Sequence, residues 1–308
     1  MHKQFGNAPQ APSTRFLVMF HSEHGERLAR IAIESLRAYG GPYSDCPVWA
    51  FVLEPERVDQ ALPGLEAVQR LPVDEAGVPY VFAQKVAACA QAEAMASEEI
   101  RSLVFLSLDC LIIQPPHLFD LAPKSGWSAA GAAFRPVHHR NIGSLAHEPA
   151  NEYWAGIYQA LGIADMPHTV ESFADRQVLR PYFNTHCFSW DPTTGLARAW
   201  WEEFRRLASD QSFQARVCGD ELHRIFLHQA VLSTLAVKLL GWDCIRLLPH
   251  EYNYPLNLLA EIPPERRAPS LNSLVNAVYE DRFPWGGIKI AEPLHSWLQE
   301  HLPGNAGP

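Results

Sequence analysis

The run from Leu103 to Pro116, LVFLSLDCLIIQPP, constrains the fold more than any other stretch. Apolar residues lead to Ser107, a single carboxylate stands at Asp109, and Leu111 to Ile113 lead on to a double proline. A short apolar run bounded by breakers reads as a strand buried on both faces. A carboxylate inside such a strand is costly unless it is paired or emerges at the strand end. Two readings of Asp109 follow. It is a solvated residue on a strand-end turn, or it stands at the C-terminal end of a sheet strand, where open α/β sheets bind ligands.

The chain upstream supplies the sheet. Arg15 to Phe20 and Pro47 to Leu53 read as buried strands, and Val68 to Val73 as a weaker third. Glu26 to Tyr39 keeps the helical period through Leu28, Ile31, Ala32, Leu36 and Tyr39, and Gly40-Gly41 ends it. Tyr80 to Ala96 is alanine-rich and helical by propensity. This β-α-β spacing predicts a mixed, mainly parallel sheet with right-handed crossovers. Downstream, Trp127 to Phe134 reads as a strand, and Arg135 to Asn151 as a long loop on the surface or over the site. Asp191 and Pro192 start a helix over Thr193 to Ala208, whose Leu196, Trp200, Phe204 and Leu207 fall at core spacing.

Several classes are excluded. The net charge is −9 and no basic stripe appears, so no nucleic-acid partner is expected. No run approaches the ~18 apolar residues of a membrane span. Residues 1–14 are polar and read as a tail rather than a signal peptide, residues 15–300 as one domain, and 301–308 as a second tail. The six cysteines are scattered without C-x-x-C, which predicts reduced, buried thiols in a cytoplasmic protein. Neither G-x-G-x-x-G nor a Walker motif opens the first helix, against a dinucleotide or P-loop site.

Phe105 to Pro115 resembles the "F-L-D-x-D-x-L-V-x-x-P" segment of nucleotide-sugar glycosyltransferases of the GT-A fold, in particular the glycogenin and lipopolysaccharide galactosyltransferase-like group, family 8. In that family the two aspartates hold a divalent cation on the donor diphosphate. Here Asp109 takes the second position and Ser107 replaces the first. Tyr182-Phe-Asn184 to Asp191 resembles "Y-F-N-x-G-x-x-x-x-D", with His186 where the family has Gly. His228-Gln229 to Ser233 resembles "D-Q-x-x-L-N", and Leu248-Pro to Asn253 resembles "L-P-x-x-x-N". Phe283 to Lys289 resembles "H-x-x-G-x-x-K", with Phe283 for the metal-binding His.

The resemblance implies a GT-A-like domain that moves a sugar from a nucleoside-diphosphate donor, a UDP-sugar, to an unknown acceptor. It implies that Asp109 and Ser107 meet the donor, and that Lys85 and Lys289 neutralise the leaving diphosphate. Asn184 and His186 would face the sugar, and His21 and His24 the nucleoside. Inverting relatives place a general base where Asp220 and Glu221 open a helix, although acidic residues favour a helix start in any case. With Ser107 and Phe283 in ligand positions, Mn2+ or Mg2+ is expected to bind weakly, through Asp109 and together with the diphosphate. The alternative is a GT-A-like protein that binds a nucleotide or glycan without turnover.

Overall fold

The computed structural model describes residues 13–58, 62, 64–71, 80, 82–123, 130–280 and 283–302. In chain order its elements begin with β1 (Thr14–Phe20), α1 (Glu23–Tyr39), β2 (Val48–Val52), β3 (Leu65–Arg70), α2 (Ala83–Met95), β4 (Ser102–Leu106), β5 (Cys110–Ile112) and β6 (Ala132–Phe134). They continue with α3 (Glu152–Ala160), the short hairpin of β7 (Val170–Glu171) and β8 (Val178–Leu179), and β9 (Cys187–Trp190). The remainder is α4 (Leu196–Ser209), α5 (Gln211–Val217), α6 (Glu221–Leu240), β10 (Ile245–Leu247), β11 (Tyr254–Pro255), β12 (Asn276–Val278) and α7 (Leu294–His301).

Seven strands form the central sheet in the order β10-β6-β9-β4-β1-β2-β3. The pairs β1–β2, β1–β4, β2–β3 and β6–β10 are parallel, and β9 runs antiparallel to both its neighbours. Successive residues of β1 enter opposite cores: Leu17 faces Phe105, Phe188, Trp200 and α6, whereas Phe16 and Val18 face α1. Burial on both faces explains why these strands read as nearly unbroken apolar runs. A second sheet, β11-β12-β5, covers a third core with α7.

The stretch from Leu103 to Pro116 is therefore two strands in two sheets, not one. Ser107 donates its amide to His186 O (3.0 Å), extending the β4–β9 ladder by a residue, and Cys110 N turns back onto Ser107 O (3.2 Å). The turn places Ser107 and Asp109 beyond the ends of the strands while their backbones stay tied to the two sheets. It also lets β5 pair with β12, and Ser35 of α1 receives the amide of Ile112.

Other boundaries move for local reasons. Ser22 caps α1 by accepting from Gly25 N, so the helix starts at Glu23. The third strand begins at Leu65, and positions 72 and 73 lie outside the described residues. Of the strand read over Trp127 to Phe134, only Ala132–Phe134 is strand, and 127–129 lie outside the described residues. Asp191 caps a 3-10 turn at Pro192–Thr194, and α4 starts only after Gly195, whose φ is +71°. Leu302 packs with α7, so the body runs past residue 300; both expected tails otherwise fall on 1–12 and 303–308, outside the described residues.

Candidate active site

At the C-terminal edge of β4 the Ser107–Asp109 turn opens into a cleft of about 900 Å³. Its walls come from α1, the start of α2, the segment after β6, the segment before β9, α6 and the residues following β12. The Asp109 carbonyl accepts from Tyr279 N (3.0 Å), which fixes the backbone of the turn. Its Oδ1 is buried and has no hydrogen-bond partner among the described residues. A buried acceptor without a donor is unfavourable, so the carboxylate is prepared for a ligand.

Lys85 enters from the first turns of α2. Nζ donates to Thr185 O at 3.2 Å and lies over the rings of Phe82 (4.8 Å) and Phe105 (5.2 Å). Burial lowers its pKa, and the Asp109 carboxylate opposes that shift. An ammonium held by one carbonyl and two ring faces keeps donors for an anion.

Asn184 and His186 form a fixed pair. Asn184 Oδ1 accepts from His186 N (2.8 Å) and stands 3.1 Å from its Nδ1. The backbone amide is an obligatory donor, so this atom of Asn184 is the oxygen and Nδ1 carries the proton. The lone pair of His186 is then on Nε2. Burial lowers the His186 pKa; Asp109 raises it and Lys85 lowers it further. His228 is satisfied on both sides: Nδ1 meets Ile225 O at 2.9 Å, and Nε2 meets Thr185 Oγ1 at 3.1 Å. Beside it, Gln229 lines the cleft.

Lys85, Ser107, Asp109, Asn184 and His186 are thus brought together, and His24 joins them at the rim. Asp220, Glu221, His21 and Lys289 are not. Asp220 is the exposed N-cap of α6, with its carboxylate on His223 N (2.9 Å) and Nδ1 (2.6 Å). Glu221 and His21 are exposed and outside the cleft, and exposed Lys289 only offers its carbonyl to Leu271 N. Asn253 lies behind the site at φ +48°, donating to Cys187 O (2.6 Å) and paired with Asn276. Phe283 is buried against Tyr279 and Trp285 in the third core.

Among the described residues no group of three or more His, Cys, Asp and Glu side chains is placed to hold a metal ion. A hard divalent cation asks for six or more oxygen ligands, and Asp109 is the one carboxylate of the turn. The turn by itself does not supply the ligands of a resident metal.

The sequence reading missed Thr185, His138, Tyr279 and Glu280 as cleft residues. His138 lay in the segment suspected of covering the site. Tyr279 and Glu280 follow β12 and arrive only through the second sheet, which no local pattern announces.

The family described as the Rhodobacterales glycosyltransferase domain matches residues 17–241, from β1 through α6. The chain belongs to that family. This member of the Rhodobacterales glycosyltransferase family has the GT-A-like fold, a mixed sheet flanked by helices. A crystal structure of the galactosyltransferase LgtC with donor and acceptor sugar analogues is 12% identical, with TM-score 0.52, over 96% of this chain and 97% of that one. An active-site glutamine-to-glutamate mutant of LgtC is 10% identical with TM-score 0.53 over the same shares. No curated protein matches the chain. Both likenesses carry the fold, and the family carries glycosyl transfer; the non-catalytic alternative is not favoured.

Proposed function

We propose that this glycosyltransferase takes its sugar from a nucleoside-diphosphate donor, a UDP-sugar, and passes it to an acceptor in the same cleft. The observation that carries the reading is the buried Lys85 ammonium beside the unpartnered Asp109 Oδ1 at the end of β4. Negative charge grows on the leaving diphosphate, and a preorganised cation in a dry site stabilises it. Asp109 accepts from hydroxyl groups of the donor. Asn184, with its oxygen committed to His186, offers its amide nitrogen to the sugar, and Gln229 faces the same space. LgtC, bound to donor and acceptor analogues and carrying an active-site glutamine, supports this division of the cleft.

The charge of a resident cation is taken over by Lys85, with metal assistance limited to what the diphosphate itself brings. All six cysteines are free and five are buried, which supports a reducing compartment, the cytoplasm. Calorimetry with UDP, with and without Mn2+ and EDTA, tests the reading alongside UDP release from UDP-hexoses. UDP binding that survives EDTA is expected. A chain that binds no nucleotide sinks the proposal.

A further inference from the structure

His138 follows β6 on the segment that closes one wall of the cleft. Its main chain is fixed, because its carbonyl accepts from Ala174 N at 2.7 Å, and its ring stands edge-on to Phe173 with centroids 6.3 Å apart. The residue is 8% exposed, lines the cleft, and leaves both Nδ1 and Nε2 buried without a hydrogen-bond partner among the described residues. By contrast, both nitrogens of buried His228 are satisfied. His138, His186, Asp109 and Lys85 line the same cleft.

A neutral imidazole offers one donor and one acceptor. A sugar hydroxyl is also a donor and an acceptor, so one hydroxyl answers either nitrogen. A phosphate or ionised carboxylate oxygen only accepts, so it would answer the N–H and leave the other nitrogen unpaired. Buried Arg135 lies over the Phe173 ring (5.0 Å), its Nη2 is 2.9 Å from His250 Nδ1, and its Nε has no partner among the described residues. Burial, then Arg135, His186 and His139, push the His138 pKa well down, so the ring stays neutral.

We propose that His138 is a specificity-determining contact that reads a hydroxyl of the transferred sugar or of the acceptor glycan. This rests on the nucleotide-sugar reading above. A site built to hydrogen-bond a hydroxyl rejects ligands lacking it, by up to ~10⁴-fold or more in favourable cases.

The test compares wild type with His138→Phe and His138→Gln. Three readings are taken: UDP affinity, thermal midpoint, and UDP release from UDP-galactose, UDP-glucose and UDP-N-acetylglucosamine. Release is followed without acceptor and with added free galactose or glucose. His138→Phe is expected to lower kcat/KM at least ~10-fold for the preferred donor. UDP affinity stays within about 2-fold, and the midpoint is unchanged or raised because two orphaned nitrogens are gone. His138→Gln, which keeps a donor and an acceptor, recovers much of the loss. A loss in acceptor-free release puts the hydroxyl on the donor sugar; a loss confined to the acceptor-stimulated rate puts it on the acceptor. Unchanged turnover in His138→Phe overturns the inference. So does a parallel loss of UDP affinity and thermal midpoint, the mark of a structural ring. His138→Leu is read the same way should the phenyl ring not fit. A wild-type chain that releases no UDP from any of the three donors overturns the donor reading and this inference with it.

Discussion

Lys85 donates to the carbonyl of Thr185 across 3.2 Å, so the ammonium buried in the cleft rests on a neutral acceptor instead of a carboxylate. A charge held this way has unspent donors and an incomplete shell, which the proposed donor diphosphate would complete. Lys85→Met keeps much of the packing against Phe82 and Phe105 and removes the charge. Turnover of the donor should fall ~10²–10³-fold, as for loss of a preorganised oxyanion donor. Steady-state release of UDP measures it, and turnover within 3-fold of wild type would remove Lys85 from the mechanism.

The pH profile follows from the same burial. The Lys85 pKa is lowered by burial and partly restored by Asp109. The alkaline limb of kcat/KM, which reports the free enzyme, should therefore fall below the usual lysine range. Bound diphosphate favours the charged form, so the limb of kcat lies higher. Asp109→Asn removes the restoring charge and moves the free-enzyme limb further down. Stability shifts the other way. Between the lowered native pKa and the ordinary unfolded one, the unfolded chain binds the extra proton, so folding gains as pH rises through that window. A limb at the ordinary lysine position would contradict the burial argument.

Asp109→Asn should fold normally. The carbonyl that accepts from Tyr279 N belongs to the backbone, and Oδ1 has no partner among the described residues to lose. Nucleotide-sugar affinity or turnover should drop by at least ~10-fold, about 1.4 kcal/mol. Circular dichroism with calorimetry separates the outcomes; an unfolded variant with unchanged binding per folded molecule would make Asp109 structural.

Purified protein should carry no stoichiometric metal by elemental analysis, and EDTA should change turnover by less than ~10-fold, since one carboxylate is a poor hard-cation site. Tightly bound Mn2+ in the absence of nucleotide would show that other side chains, His186 and His250 first, complete a ligand set.

Glu93 tests the scaffold rather than the chemistry. Its carboxylate is fully buried and accepts from Ala197 N (3.0 Å), Arg198 N (2.9 Å) and Arg198 Nε (3.1 Å). The N-cap of α4 is Gly195, which has no side chain to do this, so α2 caps α4 from outside. Glu93→Ala should cost about 3 kcal/mol in urea denaturation, with two buried amides left unpaired. Glu93→Gln should cost less. A loss below ~0.5 kcal/mol for the alanine variant would mean that water replaces the carboxylate.

The sequence disclosed what is local. Asp109 was legible because a carboxylate interrupts an apolar strand, and Asn184 and His186 because they lie just before β9 in a motif. Lys85 was legible because its helix precedes that carboxylate strand. Asp220 and Glu221 were drawn into the site by the resemblance to inverting relatives, whereas the preference of any helix start for acidic residues accounts for their placement, and Asp220 is spent on capping. Helix α3 escaped because Tyr153, Trp154 and Tyr158 sit among glycine and polar residues, and Gly156 looks like a breaker. Its reason is tertiary: a Cβ there would stand 2.6 Å from Val217 Cγ2. His138 and Tyr279 reach the cleft through contacts far apart in the chain, which no spacing encodes.

The Ser107–Asp109 turn is anchored at one end to the large sheet through His186 and at the other to the small sheet through Tyr279. It works as a splice between two bodies, and the carboxylate registers any shear of one against the other. A repacking beneath the small sheet, around Leu271 or Leu298, would therefore also adjust the proposed donor pocket. Variation in α7, outside the matched family segment, would then act on affinity through the position of the turn, with no substitution among the cleft side chains.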